Sequence, residues 1–240
     1  MEDVKTASAE MDDSKLVVTS QDDHPTRLIK TSIAHGILRF GEFELKSGRR
    51  SPYFYNTGLF NTGQLLNLLG VSYASKIMVL RGSLEFDVVY GPAYKGIPLA
   101  AITAAELDRL DPLKYHGVGF AFDRKEVKTY GEGGNIIGAP LQGKRVLIID
   151  DVITAGTAIR ESINTIQQNG GQFVGVLVIL DRQEKSPDSQ LSAIQILEKE
   201  YNTKIYSIIK LDHIIQLLKS IPDYQGHLLH MENYRKQWGV

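Results

Sequence analysis

The chain has 240 residues, of which 42% are apolar and 23% charged, values that are ordinary for a globular protein. It contains no cysteine, which excludes a disulfide scaffold, a thiolate metal site and a cysteine nucleophile. No apolar stretch approaches the roughly 20 residues that a membrane-spanning helix needs. The N-terminal segment has neither the basic stretch nor the apolar core of a secretory signal. These features predict a cytoplasmic protein that makes no contact with a membrane.

The net charge of −1 conceals an acidic N-terminal segment. Residues 1–23 carry seven acidic side chains and two lysines, a net of −5, so the rest of the chain carries the balance of +4. That charge is too small to indicate a nucleic-acid partner. Residues 1–24 lack hydrophobic periodicity and are rich in Asp, Ser, Thr and Glu, which predicts a disordered acidic tail. Residues 25–240 contain no linker or repeat and are predicted to form a single domain.

From residue 25 onwards, helical patterns alternate with short apolar runs that predict strands. In chain order we predict a helix from residue 25, two extended pieces in 43–56, a helix at 62–81, a strand at 86–91, a helix at 94–110, a strand at 117–125, a strand from 145, a helix to about 168, a strand at 172–182, a helix at 191–202, a strand at 204–210, a helix at 211–220 and a helical C-terminus from 224. Residues 127–138, VKTYGEGGNIIG, have no clear core face, and we interpret them as a glycine-rich excursion.

Several predicted strands are continuously apolar and are separated by helices. This pattern predicts an α/β fold with a mostly parallel sheet flanked by helices on both faces. Ligands bind such sheets beyond the carboxyl ends of the strands. Those ends carry the polar sequences GPAYKG, DRKEVK, DDVITAGT and DR. We therefore expect the functional site at this edge of the sheet.

Residues 138–145, GAPLQGKR, satisfy the first seven positions of the P-loop pattern G-x-x-x-x-G-K. The eighth position requires Ser or Thr, and here it is Arg145. The segment also precedes a predicted strand, whereas a P-loop follows a strand and opens a helix. We interpret it as a turn that leads into the strand.

Residues 146–162, VLIIDDVITAGTAIRES, place two adjacent acids between a buried strand and a turn of small residues. The turn, residues 154–157, precedes a helix, so main-chain N–H groups and the helix N-terminus can hold a phosphate. Asp150 and Asp151 would repel that phosphate; they need hydrogen-bond donors or a cation, such as ribose hydroxyl groups or Mg²⁺. The pattern indicates a sugar phosphate. On residue types alone, an acid pair that caps the following helix is the alternative.

The segment VLIIDDVITAGTA resembles, without a gap, the phosphoribosyl-diphosphate binding signature of the type I phosphoribosyltransferases. The blocks FELKSGRRSPYFYN, GPAYKGIPLA and FAFDRKEVKTYGEGG resemble, in the same order, those of orotate phosphoribosyltransferases. The similarity extends from about residue 28 to the end of the chain. It implies the type I phosphoribosyltransferase fold, with a small N-terminal hood region and a mobile loop. It also implies transfer of phosphoribose from 5-phosphoribosyl 1-diphosphate to orotate in pyrimidine synthesis, with Mg²⁺, by a homodimer that shares the loop across its interface.

The resemblance also implies roles on the donor side. Lys95 and Arg124 match diphosphate-binding positions, and Lys125 matches the loop residue that acts across the dimer. Lys125 and Lys95, with Asp150 and Asp151, form the implied catalytic group. The implied donor-binding residues are Lys46, Tyr94, Lys95, Arg124, Lys125, Lys128, Tyr130, Asp150, Asp151, Val152, Ile153, Thr154, Ala155, Gly156, Thr157 and Ala158. No dedicated protein ligand is implied for Mg²⁺, which the donor would hold, near the two acids.

On the acceptor side, the resemblance implies contacts of orotate with Phe54, Tyr55, Thr154 and Arg182. Lys46 would lie between the acceptor and the donor sugar. A planar, anionic acceptor needs an aromatic face and in-plane donors, which these residue types supply. Arg182 follows a predicted strand directly, so its side chain starts at the functional edge.

Two other functions are considered. A phosphoribosyltransferase for a purine or for uracil would keep the acid pair and the Thr-Ala-Gly-Thr turn but has no need of KSGRRSPYF. A non-catalytic regulator that senses phosphoribosyl diphosphate and binds nucleic acid is expected to lose the loop cations or gain a basic face, and the sequence shows neither change. His35, His116 and His213 lack metal-ligand spacing and are interpreted as surface or core residues.

Tyr130 stands where the family usually has a histidine, in a loop that ends HGEGG. Histidine can carry a positive charge near neutral pH, whereas tyrosine stays neutral. We therefore expect Tyr130 to keep a contact role without a cationic one, and Tyr130→His to leave turnover undiminished. Steady-state kinetics test this, and a large loss of kcat/KM in the variant would show that the phenol does something the imidazole cannot.

Overall fold

The computed structural model describes residues 16–45, 47–128 and 134–240, without the side chains of residues 125–128 and 134. Within these ranges the chain forms eight strands and eight α-helices. The strands are β1 (Leu38–Glu44), β2 (Arg50–Tyr55), β3 (Val88–Gly91), β4 (Gly119–Lys128), β5 (Gly134–Gly138), β6 (Arg145–Val152), β7 (Gln172–Asp181) and β8 (Ile205–Lys210). The helices are α1 (His24–Ala34), α2 (Gly63–Val79), α3 (Gly96–Leu110), α4 (Pro112–Tyr115), α5 (Thr157–Gln168), α6 (Ala193–Tyr201), α7 (Leu211–Lys219) and α8 (Gln225–Trp238).

Six strands form the central sheet, in the order β5-β4-β3-β6-β7-β8. All neighbouring strands in it are parallel except β4 and β5, which are antiparallel. The carboxyl ends of β3, β6 and β7 therefore lie side by side at one edge of the sheet. The predicted α/β fold with a mostly parallel sheet is confirmed.

The apolar run of β6 is continuous because both faces of the sheet are covered. Leu147 and Ile149 belong to a core cluster with buried residues of α1, α2, α3, α7 and α8. Val146 and Ile148 point to the other face and belong to a second cluster with residues of α5 and α6. All four side chains are fully buried, so the acids that follow them are held on a rigid strand.

Strands β1 and β2 form a separate antiparallel hairpin, here called the hood hairpin. Helix α8 packs against it: the rings of Tyr53 and Tyr234 meet edge to face, with centroids 6.5 Å apart. Phe40 makes a similar contact with Tyr224, at 5.7 Å. The C-terminal helix therefore fixes the hairpin on the body of the domain.

One strand of the sheet was not predicted from the sequence. Residues 134–138, interpreted as part of an excursion, form β5, and Ile136 packs against the second core cluster. Its glycines and short length weaken the strand pattern, while pairing with β4 supplies the hydrogen bonds that the pattern does not reveal.

The interpretation of residues 138–145 as a turn into a strand holds, since they connect β5 to β6.

The last part of the predicted tail packs on the domain. Leu16 is buried, and Lys30 bonds both the Val17 carbonyl and the Asp22 carboxylate at 3.0 Å. Helix α1 begins at His24, and the Asp23 carboxylate accepts a hydrogen bond from the Thr26 N–H. Ordered contacts thus begin before residue 25. Residues 1–15 lie outside the described residues, where the prediction of disorder stays untested.

Gly91→Ala is expected to destabilise the protein. A β-carbon at Gly91 would lie 2.2 Å from the main-chain oxygen of Gly96, so the turn between β3 and α3 would have to move. Such overpacking costs about 1–3 kcal/mol. Gly226→Ala, in α8, is the control because nothing lies within 4 Å of its added carbon. Urea denaturation compares the two, and equal stability of both variants would contradict the close approach.

Candidate active site

The turn between β3 and α3, residues 92–95, places Lys95 over the end of β6. Its Nζ lies 2.9 Å from Oδ2 of Asp151 and 3.2 Å from Oγ1 of Thr57. The Thr57 hydroxyl donates to the same Asp151 oxygen, at 2.6 Å. Lys95 is largely exposed, whereas only 14% of the Asp151 side chain is exposed. One carboxylate oxygen thus joins the β3–α3 turn, the end of β6 and the segment after the hood hairpin.

The same turn carries Tyr94, which is largely exposed and follows a cis peptide bond with Ala93. The Ala93 N–H donates to Asp123 of β4, at 3.4 Å. Arg124, the next residue along β4, has a buried Nε with no hydrogen-bond partner among the described residues. Main-chain and cationic groups of β4 and the turn therefore lie at the same edge, as predicted.

Asp150 precedes Asp151 on β6 and is half-buried. Burial, together with the neighbouring Asp151 charge, raises the pKa of Asp150 to about 7, although the Asp151 N–H and Lys95 oppose this rise. The N–H of Asp151 donates to Oδ1 of Asp150 at 2.9 Å, and Tyr73 donates its hydroxyl to the main-chain oxygen of Asp150 at 2.7 Å. Asp150 is therefore partly protonated near neutral pH, which reduces its repulsion with the neighbouring acid.

The acids do not cap the following helix. The N-cap of α5 is Gly156, and no side chain bonds there. The second oxygen of Asp151, Oδ1, accepts the N–H of Val152 at 2.7 Å. The alternative of an acid pair acting as a helix cap is therefore wrong, and the acids stay at the strand end facing the site.

Residues 153–157, here called the phosphate loop, connect β6 to the N-terminus of α5. Gly156 is buried and has a φ of 78°, the left-handed region that glycine adopts without strain. The residues around it are exposed, namely Thr154, Ala155, Thr157 and Ala158, whereas Val152 and Ile153 are half-buried. An open loop at the N-terminus of a 12-residue helix can hold an anion through main-chain N–H groups.

The predicted acceptor side contains a buried ionic network. Arg182 follows β7, and its Nε and Nη2 bond Oε1 of Glu184 at 2.9 and 2.7 Å. Its Nη2 also donates to Oγ of Ser51 on β2, at 3.2 Å, and its guanidinium lies 4.5 Å from the centre of the Tyr53 ring. Arg182 therefore joins the functional edge to the hood hairpin. The sequence did not single out Ser51, Tyr53 or Glu184.

A second arginine shares the same carboxylate. Nη1 of Arg49 lies 3.6 Å from Oε2 of Glu184, and its guanidinium lies 4.3 Å from the centre of the Trp238 ring. The side chains of Arg49, Glu184 and Arg182 are 9%, 11% and 14% exposed. Two guanidinium groups and one carboxylate leave one surplus positive charge in a largely water-excluded place, which favours an anionic ligand.

The structure divides the predicted aromatic pair. Phe54 is half-buried and stacks on Phe43, with centroids 5.6 Å apart. Tyr55, the next residue, points to the opposite side of β2, where it is buried and shares a hydrogen bond of 3.0 Å with Ser32. Adjacent residues of a strand face opposite sides, so only one of the pair can offer its ring. The expectation of an aromatic face from Tyr55 is wrong, and only its main chain could contact a ligand.

Some predicted residues fall outside this geometry. Lys46 and Tyr130 lie outside the described residues, as do the side chains of Lys125 and Lys128. Their roles stay predictions. The three histidines occupy local contacts: His35 with Thr31, His116 with Asp108 and His213 with Lys210.

Asp150→Asn is expected to alter the pH dependence of stability. The pKa of Asp150 is about 7 in the folded protein and about 3.8 for an unperturbed carboxyl. The folded protein therefore binds the carboxyl proton more tightly than the unfolded protein does. The protonated carboxyl therefore contributes to the free energy of unfolding fully below about pH 4, and this contribution is lost as the pH rises through about 7. The amide cannot ionise, so between about pH 4 and pH 8 the variant should gain up to about 4 kcal/mol relative to the unsubstituted protein.

Denaturation with urea over that pH range measures the difference in the free energy of unfolding. Asp188→Asn removes an exposed carboxylate and serves as the control. A pH profile of Asp150→Asn that parallels the profile of the unsubstituted protein would contradict a raised pKa.

Comparison with known proteins identifies the group to which the chain is similar. The phosphoribosyl transferase domain family matches residues 64–213. An orotate phosphoribosyltransferase of Marinobacter nauticus is 54% identical over 218 residues, which cover 91% of this chain and 99% of that protein. An orotate phosphoribosyltransferase of Escherichia coli is 50% identical over 214 residues, with 89% and 97% covered.

A solved structure agrees with the sequence relatives. The orotate phosphoribosyltransferase of Francisella tularensis superposes with a TM-score of 0.77 at 39% identity, over 88% of this chain and 98% of that one. Its identity exceeds the level at which only the fold is shared. The chain therefore belongs to the orotate phosphoribosyltransferase family.

Proposed function

We propose that this chain transfers the phosphoribosyl group of 5-phosphoribosyl 1-diphosphate to orotate, giving orotidine 5′-monophosphate and diphosphate in pyrimidine synthesis. Membership in the family supports the reaction. One observation of the structure carries it: the phosphate loop, the Lys95–Asp151 pair and the Arg182 network lie along one edge of the sheet. The reaction needs these three environments, for a phosphate, a sugar with its leaving group and an anionic base.

On the donor side, the 5-phosphate would bind the N–H groups of the phosphate loop, and the ribose hydroxyl groups would donate to Asp150 and Asp151. Partial protonation of Asp150 limits the negative charge near the phosphate. When Asp151 accepts a ribose hydroxyl, its hold on Lys95 weakens because both compete for the same oxygen. Lys95 is then free to turn toward the diphosphate, which is the group that gains charge as it departs.

Departure of the diphosphate leaves positive charge on carbon 1 of the ribose. Lys95 and Arg124 would hold the leaving group from the sheet edge, and Lys125 and Lys128 would add charge from the loop. Fixing the attacking nitrogen of the base in line with carbon 1 supplies the remaining acceleration. That alignment falls to Arg182, Phe54, the Tyr55 main chain and Thr154, with Lys46 between the two substrates.

The donor would bring Mg²⁺ on its diphosphate. The oxygen atoms of Asp150, Asp151 and Thr57 are of the ligand type that Mg²⁺ prefers. Among the described residues, however, no group of three or more His, Asp or Glu side chains could hold a metal ion by itself. The residues thus fit an ion held mainly by the substrate, where it would neutralise charge on the leaving group.

Assembly and location are also proposals. A homodimer with a shared loop would bring Lys125 to the partner's site, and measurement of molecular mass in solution tests the dimer. Within the described part of the chain, no helix has the length and apolar character needed to span a bilayer. Action in the cytoplasm, without a nucleic-acid partner, is the expectation that composition and charge support.

The function is tested by diphosphate release from 5-phosphoribosyl 1-diphosphate and Mg²⁺ with orotate, uracil, adenine or hypoxanthine as acceptor. We expect diphosphate release with orotate and with none of the other three bases. Release with another base only would favour the first alternative function. No release with any base, together with tight binding of the donor, would favour the regulator.

Arg182→Gln is expected to raise KM for orotate at least about tenfold while changing KM for the donor little, since a charge-assisted contact is lost on one side only. Arg50→Gln is the matched control, because Arg50 lies on the same hairpin but is 81% exposed and pairs with Glu42 at the surface. Arg182→Lys keeps the positive charge, and it helps to distinguish a loss of orotate binding from a loss of folding. Equal increases in both KM values would contradict the assignment of Arg182 to the acceptor.

A further inference from the structure

Arg160, in the second turn of α5, lies behind the phosphate loop. Its Nη1 donates to the main-chain oxygen of Ala155 at 3.0 Å. Its Nε and Nη2 bond the carboxylate of Glu200 on α6, at distances of 2.7 to 3.0 Å. The guanidinium therefore joins the loop to a second helix through three of its donors. Neither residue belongs to the site predicted from the sequence.

This contact determines which way one peptide group of the loop faces. The bond between Ala155 and Gly156 is trans, and in a planar trans peptide the N–H points opposite to the C=O. Because Arg160 holds the Ala155 oxygen on the side of α6, the Gly156 N–H is directed to the opposite side. The surrounding residues, Thr154 and Thr157 among them, are exposed.

Packing behind the loop reinforces the same orientation. A β-carbon at Gly156 would lie 2.9 Å from Cδ1 of Leu197 and 3.2 Å from Nη1 of Arg160. Side chains of α5 and α6 thus fill the back of the loop up to the main chain. The loop cannot turn its N–H groups inward without displacing these side chains.

The charge of Arg160 is already matched. Glu200 accepts from two nitrogen atoms of the guanidinium, and that hydrogen bonding lowers the Glu200 pKa. An arginine paired in this way adds little net attraction for a phosphate. Its effect on the loop is therefore geometric.

We propose that Arg160, held by Glu200, is a positioning residue that directs the Gly156 N–H toward the 5-phosphate of the donor. The inference rests on the proposed function, since it assumes that the loop binds a phosphate of the substrate. Arg160 itself does not touch the substrate. Its planar fork is required because separate nitrogen atoms reach the carbonyl and the carboxylate, whereas a lysine has a single nitrogen atom for both.

Removal of the guanidinium tests the proposal. We expect Arg160→Met to weaken binding of ribose 5-phosphate, measured by calorimetry, about tenfold, the size of one misdirected hydrogen bond to a charged group. KM for the donor should rise by a similar factor, with KM for orotate and kcat changed less than about twofold. Arg160→Lys should show the same split if the methionine variant does not fold. Unchanged affinity for ribose 5-phosphate in a folded variant would overturn the proposal.

Glu200→Gln distinguishes positioning from direct phosphate binding. If Glu200 acts through Arg160, its loss should weaken ribose 5-phosphate binding at least about twofold and should have no further effect in an Arg160→Met background. If Arg160 bound the phosphate directly, freeing it from Glu200 would tighten binding. Tighter or unchanged binding by Glu200→Gln would therefore overturn the proposal.

Two further results keep the outcomes distinct. Arg109→Met removes an exposed helical arginine that is paired with Glu106, far from the loop, and should change neither KM. Failure of the unsubstituted protein to release diphosphate with orotate would overturn the proposed function. A fully active protein whose Arg160→Met variant binds ribose 5-phosphate normally would overturn this inference alone.

Discussion

The carboxylate of Asp151 joins three parts of the chain that are distant in sequence. Lys95 reaches it from the turn after β3, Thr57 from the segment after the hood hairpin, and Asp151 itself is the penultimate residue of β6. This small cluster depends on the close approach of Gly91 to Gly96, which sets the path of the turn. The end of β6, the turn after β3 and the segment after the hood hairpin are therefore held together by one shared set of contacts.

The charges on the donor and acceptor sides of the site follow from that arrangement. Burial of Asp150 and the neighbouring Asp151 charge raise the pKa of Asp150 to about 7, so this acid is only partly ionised near neutral pH. The acceptor side has the opposite balance, because Glu184 is shared by Arg49 and Arg182. A weakly negative side suited to hydroxyl groups thus lies beside a positive side suited to an anionic base.

Local patterns were sufficient for much of the fold and for the placement of the two acids and the loop after β6. The continuous apolar strand, the two acids and the small-residue turn are adjacent in sequence, so their order predicts their placement. Contacts between distant segments gave no such signal: Thr57, Glu184 and Arg160 became functional candidates only through their partners in space. Tyr55 shows a further limit, because the strand pattern alone did not reveal which member of the aromatic pair faces the core. Lys46, Lys125, Lys128 and Tyr130 stay predictions.

In the proposed function, one edge of the sheet separates donor recognition from acceptor recognition. A crystal structure with orotate and a non-reactive analogue of the donor tests it most directly. We expect the 5-phosphate on the main chain of residues 154–157, the ribose hydroxyl groups on Asp150 and Asp151, Lys95 turned to the diphosphate and the orotate near Arg182. A phosphate bound elsewhere, or orotate remote from the hood hairpin, would contradict it.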